Sequence, residues 1–268
     1  MILFLFLSHL ALGVVFTLVL VSREAGVKFF RFNAGMAAIL IAVAFVFRPS
    51  GAELPAAELT GGRIAWLALA VSEVAIVLYW ATIGRTLASI RPAIVAIACV
   101  SGFVALVTQA LGVAGDRAPA MQVLTVASFL SSAALLGGAS TAMILGHWYL
   151  VIPSMQVSHL QSIVKVHIAS LVVRIAVVTA VVVMAIAMWQ PGLGPSFRHY
   201  IFSVGGIFFW QRILFGLAGP ALLSYLTWET AKIQSTQSAT GILYVDFFTV
   251  VVGEVLATYL VVATRVPV

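Results

Sequence analysis

Eight apolar runs, each close to the length that crosses a lipid bilayer, fix what this chain can fold into. They are Met1–Val21, Phe32–Phe47, Ile64–Ile83, Ala93–Val113, Met121–Ile152, Ile163–Trp189, Tyr200–Trp228 and Gly241–Ala263. A helix rising about 1.5 Å per residue needs about 20 residues to cross the hydrocarbon core. The runs do not alternate apolar with polar residues, as the strands of a barrel would. Hydrocarbon offers no partner to a backbone N–H or C=O, so a span that is not a barrel strand has to be a helix. The expected fold is therefore all-α, a bundle of eight transmembrane helices with short loops that makes one domain of residues 1–268. The second run is short and is expected to borrow Phe29 and Phe30, and the fifth is long enough to tilt. The first run lacks a basic leading region, and its apolar stretch is too long for a signal peptide, so it is read as the first helix.

Composition agrees. Hydrophobic residues make up 63% of the 268 positions and charged ones 8%, with a mean hydropathy of +1.16. A soluble domain carries roughly 25% charged residues, so this chain could not face water on all sides. Its net charge of +6 comes from Lys and Arg scattered through loops and helix ends. That pattern meets anionic headgroups rather than nucleic acid, and no nucleic-acid partner is expected. The single cysteine, Cys99, allows no intrachain disulfide.

The loops carry orientation and little else. Arg23, Lys28, Arg31, Arg85, Arg91, Lys165 and Lys232 fall on one side, and Arg48, Arg63, Arg117, Arg198 and Arg265 on the other. The more basic side belongs in the cytoplasm, which places both termini outside. The expected residence is the inner (plasma) membrane of a bacterium. The longest polar stretch, Thr227–Thr240, reads as a docking loop or a solvated connector.

Ionisable residues inside the spans are the most informative positions, because each costs about 2.5–3.5 kcal/mol to insert and so needs a partner or a purpose. Glu73, Arg174, Arg212, Asp246 and Glu254 all lie well inside. His167, Ser170 and Arg174 share one helix face at i, i+3 and i+7, and Asp246 and Glu254 lie within about 80° of each other. Glu73 stands between Trp66 and Trp80 at helical spacing. Internal ion pairing is one account of this set. A proton path through Glu73, Asp246 and Glu254, or an anion site at Arg174 and Arg212, is the other. Gly216 to Pro220 is expected to kink the seventh helix, since proline removes a backbone donor.

The histidines suggest a cofactor. His9 and His199 fall toward one face of the membrane, and His147 and His167 toward the other, so each leaflet holds a pair that could ligate a b-type haem. Gly13 would let a flat macrocycle approach, and Arg174 and Arg212 would meet its propionates. His147-Trp148-Tyr149, with Gln156, His159 and Gln161 nearby, could frame a quinone ring, although aromatic-belt anchoring explains the same residues.

Phosphate-binding loops, dinucleotide fingerprints, zinc-protease motifs, nucleophile elbows and voltage-sensor arginines do not occur. In size and helix count the chain resembles the membrane anchors of respiratory oxidoreductases. The resemblance implies an integral subunit of an electron-transfer complex that engages quinol and haem b and depends on partner subunits. The alternatives are a proton-coupled secondary transporter of a small solute and a scaffolding subunit.

Overall fold

Among residues 1–48, 56–85, 88–151, 156–189 and 196–268, which a computed structural model describes, the apolar runs condense into ten α-helices. They are α1 (Ile2–Leu18), α2 (Gly26–Val46), α3 (Ala56–Thr82), α4 (Arg91–Ala114), α5 (Pro119–Val151), α6 (Val157–Ala187), α7 (Phe197–Ile201), α8 (Ile207–Ile213), α9 (Gly219–Lys232) and α10 (Thr236–Thr264). No strand occurs among the described residues. Among the described residues, seven helical stretches are long and apolar enough to cross a membrane, with α8 and α9 counted in one continuous span, Val204–Lys232. The eighth, α1, is apolar but only 17 residues long. The chain is a polytopic α-helical membrane protein.

Most boundaries lie within two turns of those read from the sequence. The second helix begins at Gly26, where φ is +80°, and takes in Phe29 and Phe30. The expected end of the fifth segment, Ile152, lies outside the described residues. The polar stretch Thr227–Thr240 is mostly helix rather than loop, with only residues 233–235 between α9 and α10. Its hydroxyls are satisfied within the helix. Thr227 and Thr230 donate to the carbonyls of Leu223 and Leu226 one turn back, so their polarity is spent inside the helix.

The seventh run departs most from a plain helix. It is divided into α7, a 3₁₀ turn, α8, a π-helical segment at Leu214–Ala218, and α9. Pro220 has no N–H to offer the carbonyl of Gly216, and a helix that loses that bond can widen by one residue. The kink expected near Gly216 is this π turn.

Packing places α1 at the centre. Thirteen of its 17 residues are buried, and it contacts α2, α4, α5 and α10. Its crossing with α5 is made backbone to backbone. A Cβ on Gly13 would strike the Ala133 carbonyl oxygen, and one on Gly137 would strike the backbone of Gly13. Thr17 and Thr141 join hydroxyls beside this crossing at 2.6 Å. Between membrane helices such close approach takes the place of hydrophobic burial as the associating force. α3 and α4 form a peripheral hairpin, with α3 packed on α2 and α4.

Candidate functional site

The buried charges converge on Glu254. Its carboxylate receives Nε of Arg174 on Oε1 at 3.0 Å and Nη2 of Arg174 on Oε2 at 2.9 Å, which is a two-pronged contact. Arg212 donates from Nη2 to Oε1 at 2.8 Å, and the Ser132 hydroxyl donates to Oε2 at 2.6 Å. Exposure is 2% for Arg174, 0% for Arg212 and 1% for Glu254. A planar guanidinium matches a carboxylate geometrically as ammonium cannot, which suits arginine to this depth.

Each member is delivered by a different helix. α6 supplies Arg174 from the polar stripe His167, Ser170 and Arg174, all three of which are buried. α5 supplies Ser128, Ser131 and Ser132, a stripe at i, i+3 and i+4 that the sequence analysis does not single out. Arg174 Nη1 donates to the Ser128 carbonyl at 2.9 Å and to the Ser128 hydroxyl at 2.7 Å. α8 supplies Arg212 just before the π turn, where Gly216 and Gly253 let that turn and α10 touch through their backbones. Arg212 Nε and Nη1 have no hydrogen-bond partner among the described residues.

His9 extends the network on α1. Its Nδ1 lies 3.2 Å from the Ser132 hydroxyl, and its ring stands edge-on to Phe129. Ser132 has one proton, and that proton goes to Glu254, so Ser132 must accept from His9. Neutral His9 therefore carries its hydrogen on Nδ1 and a lone pair on Nε2. That Nε2 is buried without a hydrogen-bond partner among the described residues. His9 lines a cavity with room for about one water molecule. Leu5, His9, Ser128, Phe129, Ser132, Arg174, Glu254, Ala257, Thr258 and Val261 line this cavity. Leu5 precedes His9 on α1, and Val261 follows Glu254 on α10, so the cavity lies between the ion cluster and the chain termini.

The other expected site residues are placed separately. His167 Nε2 lies 2.7 Å from Asp246 Oδ2, both fully buried, at an angle short of a directed hydrogen bond. His147, exposed near the end of α5, meets the Tyr244 hydroxyl at 2.9 Å through Nδ1. Gly138 is level with His167, since a Cβ there would lie 3.2 Å from the His167 Cα. His147 is nine residues further along α5, about 13 Å at the rise of an α-helix, so the two imidazoles do not face each other. His199 is exposed on α7, which packs on α6 and α8, whereas His9 is buried on α1. Neither expected histidine pair is brought face to face, and the backbone of α5 fills the space beside Gly13.

Glu73 sits at the middle of α3, half-buried, and its Oε2 has no partner among the described residues. The flanking indoles do not enclose it. Trp66 stacks edge to face with Phe45 beneath the Arg48 guanidinium, and Trp80 lies against Gly35. The polar residues around Tyr149 are likewise spent on structure rather than gathered into one pocket. Tyr149 donates to the Gln156 carbonyl, Gln161 to the Ala231 carbonyl, and His159 pairs with Glu24 at 2.7 Å. Trp148 donates to the Ala25 carbonyl at 3.0 Å, tying the first loop to the end of α5. No group of three or more metal-ligating side chains occurs among the described residues.

Compared with protein-family models, curated proteins and solved structures, the chain matches none.

Proposed function

We propose that this protein is a proton-coupled secondary transporter of a small solute. The carrying observation is the hydrogen-bonded series His9–Ser132–Glu254, which ends on Arg174 and Arg212 beside a small cavity. Every member can lose or gain a hydrogen bond as a proton arrives, and α1, α5, α6, α8 and α10 each contribute one group. A proton reaching Glu254 would release two arginines at once, giving helices that meet at one point a reason to move. The π turn and Pro220 supply a place for α8 and α9 to bend. Buried ionisable groups facing a bundle interior mark ion and substrate routes in membrane proteins.

Purified protein in sealed liposomes carrying a pH-sensitive dye tests the reading. Inward proton movement that needs a solute and disappears in Glu254→Gln or Arg174→Gln is the expected result. Proton movement of undiminished rate in both variants would remove it.

One observation favours a second reading, a quinone-engaging membrane subunit of a respiratory complex. The Tyr244 hydroxyl and His147 imidazole form an exposed hydrogen-bonded pair near the ends of α5 and α10, beside Trp148. Such a pair can hold a quinone carbonyl at the membrane boundary, and the redox partners would then be separate polypeptides. Quinone that co-purifies with the protein and is lost from His147→Ala would favour this reading over transport.

A further inference from the structure

Arg174, Arg212, Asp246 and Glu254 each meet an ionic partner inside the bundle, whereas Glu73, at the middle of α3, forms no ion pair among the described residues. It is half-buried, and its covered Oε2 has no hydrogen-bond partner among them either. A carboxylate at that depth calls for a base. The chain has none to spare there. Arg174 and Arg212 are committed to Glu254, and the other Lys and Arg lie in loops or within about two turns of helix ends.

The surface around Glu73 is shaped to take one more helix. Trp66, Ala70, Glu73, Val77 and Trp80 share one face of α3, within about 80° of one another at helical spacing. The two indoles reach α2 at either end. Trp66 stands edge to face with Phe45, and Trp80 lies against Gly35, where a Cβ would come within 2.9 Å of its Nε1. α2 therefore runs antiparallel along this face, and the midpoint between those two contacts is level with Glu73. There α2 presents Ala38 and Ala42, on the same helix face as Gly35 and Phe45. Ala42 is exposed, and Ala38 and Ala70 are half-buried. Methyl groups at the centre and indoles about 21 Å apart at the ends let another helix bring its backbone close at the depth of the carboxyl.

We propose that this face of α2 and α3 docks a transmembrane helix of another polypeptide that carries one lysine or arginine at mid-membrane, paired with Glu73. The small side chains admit the partner's backbone, and its base neutralises the carboxylate. Hydrocarbon holds such a pair together, because neither charge has water to return to. A second copy of this chain is the poorer occupant, since it brings no base at this depth and would set carboxyl against carboxyl. The proposal is independent of the transport reading, for α2 and α3 supply no side chain to the Glu254 cluster.

The probes are two leucine–alanine peptides of about 20 residues, long enough to span. They lack tryptophan, carry a dansyl group at one end and differ only in a central lysine or leucine. Energy transfer from the protein's indoles to dansyl reports docking on the full chain in phosphatidylcholine vesicles. The lysine peptide is expected to half-saturate transfer at a peptide-to-lipid ratio about tenfold lower than the leucine peptide, the scale of one interhelical polar contact. In Glu73→Gln the two peptides should dock alike. Ala42→Leu fills the centre of the face from an exposed position and leaves Glu73 in place, and it should weaken docking of the lysine peptide. Equal docking of both peptides on the wild-type protein would overturn the proposal. A lysine preference that survives Glu73→Gln would place the attraction at another acid, and one indifferent to Ala42→Leu would place it on another face; either result overturns the assignment. Energy transfer between differently labelled copies of the chain, lost in Glu73→Gln, would give the face to a second copy and overturn it as well.

Discussion

Glu254 on α10 receives four hydrogen bonds from three side chains, while the carboxyl of Glu73, midway along α3, has a buried oxygen with no partner among the described residues. Both are glutamates in the middle of apolar runs. The difference lies in the company of their helices. α10 touches α1, α5, α8 and α9, so donors reach Glu254 from several directions. α3 packs mainly on α2 and α4 among the described residues, and the nearest indoles are engaged elsewhere. An acid in a bundle interior can thus be made part of a network, whereas one on a peripheral hairpin depends on what lies beyond the chain.

The largest expected effect tests the Glu254 side of that contrast. Glu254→Gln strands two buried guanidinium groups and should destabilise the protein by about 3–5 kcal/mol in denaturant unfolding. Adding Arg174→Gln to that variant should recover part of the loss, because one stranded charge goes with it. A coupling of about 1–3 kcal/mol between the two sites is expected. Strict additivity would mean that the pair contributes nothing as a pair.

Next in size is a change that leaves every charge in place. Gly137→Ala drives a methyl into the backbone of Gly13 and forces α1 away from α5. Overpacking of this kind costs about 1–3 kcal/mol. Because Ser132 and Gly137 lie on the same helix, the shift should also lengthen the His9–Ser132 contact and slow proton uptake. Loss of stability with unchanged uptake would separate the crossing from the site.

Much of the bundle can be read from hydropathy, because length and apolarity alone decide which segments enter lipid. The stripe of His167, Ser170 and Arg174 and the shared face of Asp246 and Glu254 also follow from helical spacing, and both face inward as a polar stripe must. What spacing cannot supply is which helices are neighbours. Gly13 meets Gly137, and His9 meets Ser132, across more than 120 positions of sequence. Sorting histidines by leaflet fixed their depth but not the direction they face around each helix, so the expected haem pairs did not come together. Ser128, Ser131 and Ser132 could have been flagged by their common face, yet serine is also the usual small residue of helix contacts.

The pair of Asp246 and His167 falls between the two glutamates. It is fully buried but matched one to one, so Asp246→Asn leaves a neutral amide against an imidazole rather than a stranded charge. A cost of about 1–2 kcal/mol is expected, less than half that at Glu254. An effect as large as that of Glu254→Gln would mean that the two sites on α10 form one network.

The smallest effect belongs to Glu73. Its buried Oε2 has no partner among the described residues, so Glu73→Gln should change unfolding stability by no more than about 0.5 kcal/mol. Proton uptake should likewise keep its rate, since Glu73 lies outside the series from His9 to Glu254. A carboxylate at mid-membrane still has to be neutralised, by a proton or by a cation from outside the chain. If the purified variant matches wild type while its co-purifying membrane proteins change, the neutralising group comes from a partner helix against the α3–α4 hairpin. If uptake fails as it does in Glu254→Gln, the peripheral acid is part of the proton route, and the contrast between the two glutamates dissolves.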